Sequence, residues 1–407
     1  MKKIICLCLL LISLVSCSEK NSDGDLYKYP TKHYIDLDNK TNRFDIIDRI
    51  GDISILNLKV DDNWVHMDCP KMAVSDNGYY FLSDRNYFFL GYDKSGTLKF
   101  SKPLTGRGRG EVLNVGNMFI MNDTLMVYDL VAGRLLRYTD KGEFIGYDNK
   151  AEIKVSYLYK NSDSYLGLTV YGENENNNHY CITYNKDASR YDSFLTMPPY
   201  LVAFNGTVGY TELSYIYHDT LRFMLNFDYN IFSLTKNGVE SSYRFKANKE
   251  MTKDIFDGIT GAELMLPGKE AMVYNGGALR DISGLFETDK YIVANIFINN
   301  KYHSMLYDKT QNSCGIILRP DSFFEESLVP KLTTLDIWKY IWFSFTRLCE
   351  YENTIYGCVF YSLYYILSKT ESLHDAKIRA LYKQLKSYVE EQNLSEGDAI
   401  FLKMELL

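Results

Sequence analysis

A phrase that recurs at a fixed distance constrains this chain more than any other feature of it. Tyr92–Phe100 reads YDKSGTLKF and Tyr138–Asp148 reads YTDKGEFIGYD. Each is a strand end, a Lys-containing turn around Gly96 or Gly142, and a second strand. Glycine supplies the positive φ that such turns need, and the Asp side chain supports the turn backbone. Set in register, the phrase defines a unit of strand, turn, strand, turn, strand. Further copies start at Asp123, Asp163, Asp219, Asp289 and Glu352. The anchors Tyr92, Tyr138, Tyr184, Leu234, Tyr307 and Ile366 stand 46, 46, 50, 73 and 59 residues apart. The early period matches the roughly 40–50 residues of a four-stranded propeller blade. Two longer gaps require insertions, placed near 247–280, with a short helix over 248–259, and near 319–345.

Composition agrees with strands. Tyr occurs 35 times and Phe 22 times, and aromatic residues favour pleated, half-buried surfaces. An apolar segment over 43–60 predicts an early strand that pairs with the last blade. At the other end, Ile378, Leu381, Leu385, Tyr388 and Val389 fall at helical spacing. Alternation then returns over Ala399–Leu406, predicting a helix followed by a closing strand. The expected fold is all-β: a six-bladed β-propeller over 43–407 with a short C-terminal helix and a closing strand.

The first residues read as an address. Lys2 and Lys3 precede an apolar run, Ile4–Val15, which is too short for an ordinary membrane span. The run ends in Leu14, Val15, Ser16 and Cys17, which resembles a bacterial lipobox. This predicts a signal peptide over 1–16, lipidation of Cys17, and a polar tether over 17–42. Acyl chains on Cys17 would be the protein's contact with a membrane. Losing Lys2 and Lys3 takes the net charge from −7 to −9. An acidic chain without a basic run is not a nucleic-acid binder. Past the signal and Cys17, five cysteines remain at 69, 181, 314, 349 and 358. An odd number without a CxxC pair predicts neither a disulfide framework nor a zinc site.

The order of elements resembles the six-bladed β-propeller lipoproteins of Bacteroides-type bacteria, a family with NHL-like repeats. The resemblance rests on the lipobox, on YDKSG (Tyr92–Gly96), on GRGRGE (Gly106–Glu111) and on DLVAGRLLRY (Asp129–Tyr138). Arg107 and Arg109 stand where the family phrase carries Gln and Pro. The resemblance implies a fold and a cell-envelope location, in the outer membrane and facing the periplasm or the surface. It does not imply an activity, because propellers host many functions.

Candidate binding residues are Arg107 and Arg109 in the Gly-rich phrase, Arg85 beside Asp84, Arg134 beside Asp129, and Trp338 with Trp342. The Gly-rich phrase lacks the GxxxxGK[ST] of a phosphate loop, so an inter-blade connection is its first reading and an anion or sugar contact its second. The segment Ile337–Phe345 reads as an apolar strand or a ligand-facing insertion. No GxSxG or HExxH is present, and no cofactor is signalled. The sequence therefore predicts an envelope-anchored binding or scaffolding protein for a glycan, a peptide or a protein partner. The alternative is a metal-assisted lyase or hydrolase at the propeller axis, with His66, His218 and His303 converging as ligands.

Overall fold

The computed structural model describes residues 30–38, 46–59, 71–83, 88–149, 152–169, 179–196, 214–218, 220–225, 228–247, 279–298, 301–318, 332–370, 375–395 and 398–407. The lipobox with Cys17 lies outside them, as do Asp84, Arg85, His66, most of the expected insertion at 247–280 and the first part of the one at 319–345. The described strands form six small sheets in a ring, a six-bladed β-propeller.

Blade 1 takes its strands in chain order: β3 (Lys71–Ser75), β4 (Gly78–Leu82), β5 (Phe88–Tyr92) and β6 (Leu98–Pro103). Blade 2 follows with β7 (Val115–Met121), β8 (Thr124–Asp129), β9 (Arg134–Tyr138) and β10 (Phe144–Tyr147). Blade 3 has β11 (Tyr157–Lys160), β12 (Ser164–Leu168), β13 (His179–Asn185) and β14 (Arg190–Thr196). Blade 4 has β15 (Ser214–Tyr217), β16 (Thr220–Phe223), β17 (Asn230–Thr235) and β18 (Gly238–Lys246). Blade 5 has β19 (Leu279–Glu287), β20 (Tyr291–Ile298), β21 (Lys301–Asp308) and β22 (Ser313–Leu318). Each of these is an antiparallel meander, and the first strands of neighbouring blades touch around the axis. The recurring anchors Tyr92, Tyr138, Tyr184, Leu234 and Tyr307 all sit in third strands and are buried.

The turns behind the repeated phrase explain its residues. Asp93 Oδ1 accepts from the Ser95 and Thr97 amides at 2.8 and 2.9 Å. Gly96 follows at φ +83°, where an added Cβ would lie 1.9 Å from the Asn57 carbonyl oxygen. In blade 2, Thr139 Oγ1 takes the acceptor role from Lys141 and Glu143, both at 3.2 Å. Aromatic rings fill the seams between blades. Phe81 meets Phe401 edge-on at 4.7 Å between blades 1 and 6, and Phe89 meets Tyr138 at 5.5 Å between blades 1 and 2. Phe119 and Tyr159 join blades 2 and 3 at 5.6 Å. This is where the Tyr and Phe excess goes, and each edge-to-face pair adds about 0.5–1.5 kcal/mol beyond its buried area.

Blade 6 closes the ring with both chain ends. It holds β23 (Thr346–Tyr351), β24 (Thr354–Phe360), the C-terminal β25 (Ala399–Leu406) and, outermost, β2 (Ile50–Ile55), in the order β2-β25-β24-β23. The predicted early strand and the closing strand are thus a single antiparallel pair, with Ile53 opposite Met404. Three helices accompany this blade: α1 (Thr334–Ser344), α2 (Tyr361–Lys369) and α3 (Ala376–Gln392). The last is the helix expected from periodicity.

Three expectations need correction. Residues 31–36, expected within the tether, form β1 (Thr31–Asp36), which adds to blade 4 as a fifth strand, parallel to β18. Its partner is about 210 residues away, so no local turn marks it. Ile337–Phe345 is mainly helix α1 rather than strand. Ile337 with Ile341 and Trp338 with Trp342 repeat at i, i+4, and Thr333 with Asp336 forms a capping box at the N-terminus. The sixth unit turns helical after Phe360, so the Ile366 anchor lies in α2 and the true third strand is β25. Of the expected insertions, 248–278 and 319–331 lie outside the described residues.

Candidate functional site

The resemblance phrases hold the chain to itself. In the Gly-rich phrase, Thr105 bridges Val112, and the Glu111 carboxylate accepts from the Gly108 amide at 2.6 Å. An anion cradled by that amide would have to displace the loop's own carboxylate. Arg107 is exposed, and the Arg109 guanidinium lies 5.8 Å from the Phe144 ring centre. Asp129, 3% exposed, caps the next connection, accepting from the amides of Leu113, Val131 and Ala132 at 3.0, 3.0 and 3.2 Å. Arg134 donates to the Asn149 carbonyl at 3.0 Å. Trp338 and Trp342 are core residues of α1, at 4% and 1% exposure, so neither ring is presented to a ligand.

Of the three histidines expected to converge, His66 lies outside the described residues, and His218 and His303 do not meet. His218 Nε2 is 3.3 Å from Asp289, two residues before β20. His303 is paired with Ile296 near the other end of β20, roughly 20 Å further along the strand. Among the described residues, no group of three or more His, Cys, Asp or Glu comes together as a metal site. The described cysteines 181, 314, 349 and 358 form no disulfide.

The densest set of ionisable side chains lies where blade 4 meets blade 5. Glu287 ends β19 with its carboxylate fully buried. It accepts from Arg222 Nε at 3.0 Å, from Lys309 Nζ at 3.0 Å and from the Tyr215 hydroxyl at 3.2 Å. Arg222 also donates to Ser233 and Ser242. Lys309 reaches the Tyr217 hydroxyl at 3.1 Å, and that hydroxyl donates to Asp289 at 3.2 Å. Burial lowers the Lys309 ammonium, while burial and then Glu287 push Tyr217 up to about 12. With its oxygens occupied and shielded from water, Glu287 is a seam lock and not a base. Nearby on the innermost strand of blade 6, Glu350 forms no ion pair among the described residues. Burial first, then the Glu287 charge, raises its carboxyl to about 8.

A polar cleft of about 230 Å³ opens on the outer side of the same seam. Tyr34 and Asp36 come from β1, Lys246 from the end of β18, and Tyr307, Asn312 and Ser313 from β21 and the turn into β22. That turn is rigid: Asp308 Oδ1 accepts from the Thr310 and Gln311 amides at 2.9 and 3.0 Å. Tyr307 donates to Asn312 Oδ1 at 2.6 Å, which orients the amide. The Ser313 hydroxyl is buried with no hydrogen-bond partner. Tyr34 is 46% exposed, with Lys246 Nζ 4.1 Å from its ring centre. Sequence reasoning missed this cleft because its walls come from a presumed tether and a distant turn. The alternation of Ile35 and Leu37, both buried, was the available signal.

These features define a closed six-bladed propeller with a fifth strand on blade 4. No family model matches the chain, and no curated protein matches it. Among solved structures, the chain is similar to a candidate exported protein from Bacteroides fragilis. That match covers 93% of this chain and 100% of the other, with a TM-score of 0.66 at 15% identity, and it shows the shared fold. A DUF4221 family member from Bacteroides vulgatus matches at TM-score 0.43 and 10% identity, over 67% of this chain and 86% of that one. A streptogramin B lyase matches at TM-score 0.35 and 13% identity, over 67% and 74%. Neither of these last two bears on activity.

Proposed function

We propose that this chain is an exported binding or scaffolding protein, anchored to the bacterial envelope through a lipid on Cys17. Its partner is a glycan, a peptide or a protein. One observation carries the reading: the buried charged side chains of blades 4 and 5 are consumed in holding the seam, while the cleft beside them is lined by polar residues and by the half-exposed Tyr34 ring. Such a site can hold a ligand. The signal-like N-terminus and the fold shared with a candidate exported protein support the location, in the outer membrane and facing the periplasm or the surface.

Two measurements test it. Metabolic labelling with a tagged fatty acid should mark the wild-type chain and not a Cys17→Ser variant; equal labelling would remove the anchor. The soluble chain from residue 18 onward should bind glycan or envelope-protein probes saturably and release them unchanged. Turnover of a bound probe, or the absence of any saturable binding, would overturn the binding reading.

A further inference from the structure

A cation is buried without an anion where blade 5 meets blade 6. Arg347, on the innermost strand of blade 6, is 8% exposed and forms no ion pair among the described residues. Its partners are neutral. Nη1 donates to Asn295 Oδ1 at 2.8 Å, Nη2 donates to the Ser304 hydroxyl at 3.0 Å, and the guanidinium lies 4.8 Å from the Trp342 ring centre. Nε is buried with no partner. Burial alone lowers the guanidinium to about 9, so it stays charged at neutral pH. At the other seam of blade 5 the chain itself sets the Glu287 carboxylate between Arg222 and Lys309. Arg347 lacks that compensation, although buried charges are as a rule paired.

Two donors converge on the point where the missing charge fits. The register of β19 slips between Ser283 and Phe286, and Gly284 takes φ +55° inside that bulge. Asn295 Oδ1 accepts from both Arg347 and Ser304, the latter at 3.0 Å, and these two donors settle which way round the amide lies. Its NH₂ group is on the side of Gly284. A Cβ built on that glycine would lie 3.3 Å from Asn295 Nδ2 and 3.6 Å from Arg347 Nη1, with nothing nearer. Asn295 Nδ2 has no acceptor among the described residues, and Asn295 and Gly284 are both partly exposed. The small space left by the absent side chain is thus bordered by the N–H groups of a cation and of an amide, a set that suits a negatively charged acceptor. The left-handed φ keeps that space clear, because it strains any residue with a Cβ.

We infer that a single monovalent anion is bound here, held by Arg347 Nη1 and Asn295 Nδ2 beside Gly284. Chloride and the carboxylate of a small acid share this chemistry. The site does not depend on the binding reading above, and it joins two blades, since Asn295 belongs to blade 5 and Arg347 to blade 6. One seam of blade 5 takes its negative charge from Glu287, and the other takes it from solution.

The test uses the chain from residue 18 onward, dialysed into sodium gluconate, a bulky anion, and titrated with sodium chloride, bromide or formate at constant ionic strength. The melting temperature should rise with the logarithm of the bound ion's concentration once the site fills. A rise with the halides identifies chloride as the occupant, and crystals grown in bromide should then show an anomalous peak beside Gly284. A rise with formate alone identifies a carboxylate. Asn295→Asp places a carboxylate oxygen where Nδ2 stood and pairs Arg347 from within. This variant should melt at least as high as wild type in gluconate and should lose the response to anions. Gly284→Ala should lose it too, with a lower melting temperature in every salt. Equal melting of the wild type in all four salts would overturn the assignment. So would an anion response retained by Asn295→Asp, or a carboxylate of the chain itself found against Arg347 in the crystal.

Discussion

Replacing Glu350 by Gln should stabilise the protein, and by an amount set by pH. Glu350 lies on the innermost strand of blade 6, and burial followed by the Glu287 charge raises its carboxyl from 4.5 to about 8. The fold therefore prefers the protonated acid. Below the unfolded value both states carry the proton, and the residue imposes no cost. As pH rises past 4.5 the unfolded chain ionises first, which favours unfolding. The penalty grows until the folded carboxyl also ionises near 8 and is constant above that. One pKa unit is about 1.4 kcal/mol, so the displacement sets an upper bound of roughly 5 kcal/mol. Glu350 is only partly shielded by area, so solvent screens part of this. About 2 kcal/mol is the expected gain at pH 9. Urea unfolding of wild type and Glu350→Gln at pH 4, 6, 7.5 and 9 measures it. The gap between the two proteins should be smallest at pH 4 and widen toward pH 8. Steric costs of the amide are the same at every pH and cancel from the slope. A gap that stays flat, or a variant that loses ground as pH rises, would refute the reasoning.

Other perturbations follow from the same structure. Glu287→Gln leaves Arg222 and Lys309 buried without their shared anion and should cost about 3–5 kcal/mol in urea unfolding, as breaking a buried pair does. Gly96→Ala combines a left-handed φ with a 1.9 Å approach to the Asn57 carbonyl; it should lower the melting temperature by more than the same change at Gly146, whose Cβ would meet nothing closer than 3.5 Å. Trp342→Ala empties a site 1% exposed and should cost about 3–5 kcal/mol, whereas a role in ligand contact alone would leave the unfolding curve unmoved.

The architecture was legible where it rests on local grammar. Tyr92 and Tyr138, 46 residues apart, mark the same position of two successive blades because each turn needs the same glycine and the same buried third-strand ring. That periodicity fades where insertions enter: the sixth unit places α2 and α3 between its second and third strands, so Ile366 took the place that belongs to β25. The parallel pairing of the first strand left little mark beyond the alternation of Ile35 and Leu37. Thr31–Asp36 joins β18 in parallel, and parallel neighbours need no hairpin to announce them. The cleft inherits that illegibility, since half of its wall is β1. Trp338 and Trp342 misled for a different reason: their aromatic character reads as strand, while their spacing of four is helical, and the spacing decided.

The way the ring closes also accounts for the helices. Each blade of a propeller ends in an outer strand, in blade 6 the strand β2, and open edges invite pairing with other chains. Here α3 lies along β2 and answers its edge with side chains. Gln384 accepts from the Ile55 amide at 3.2 Å, Lys377 donates to the Ile50 carbonyl at 2.7 Å, and Tyr388 donates to the Leu58 carbonyl at 2.8 Å. Its apolar face, with Ile378, Leu381 and Leu385 fully buried, joins α1, α2 and the strands of blades 5 and 6 in one core cluster. The nine-residue β18 meets the same problem on blade 4, and there β1 covers it. The N-terminal segment therefore protects one edge and supplies the strand at another, in blades that are not neighbours.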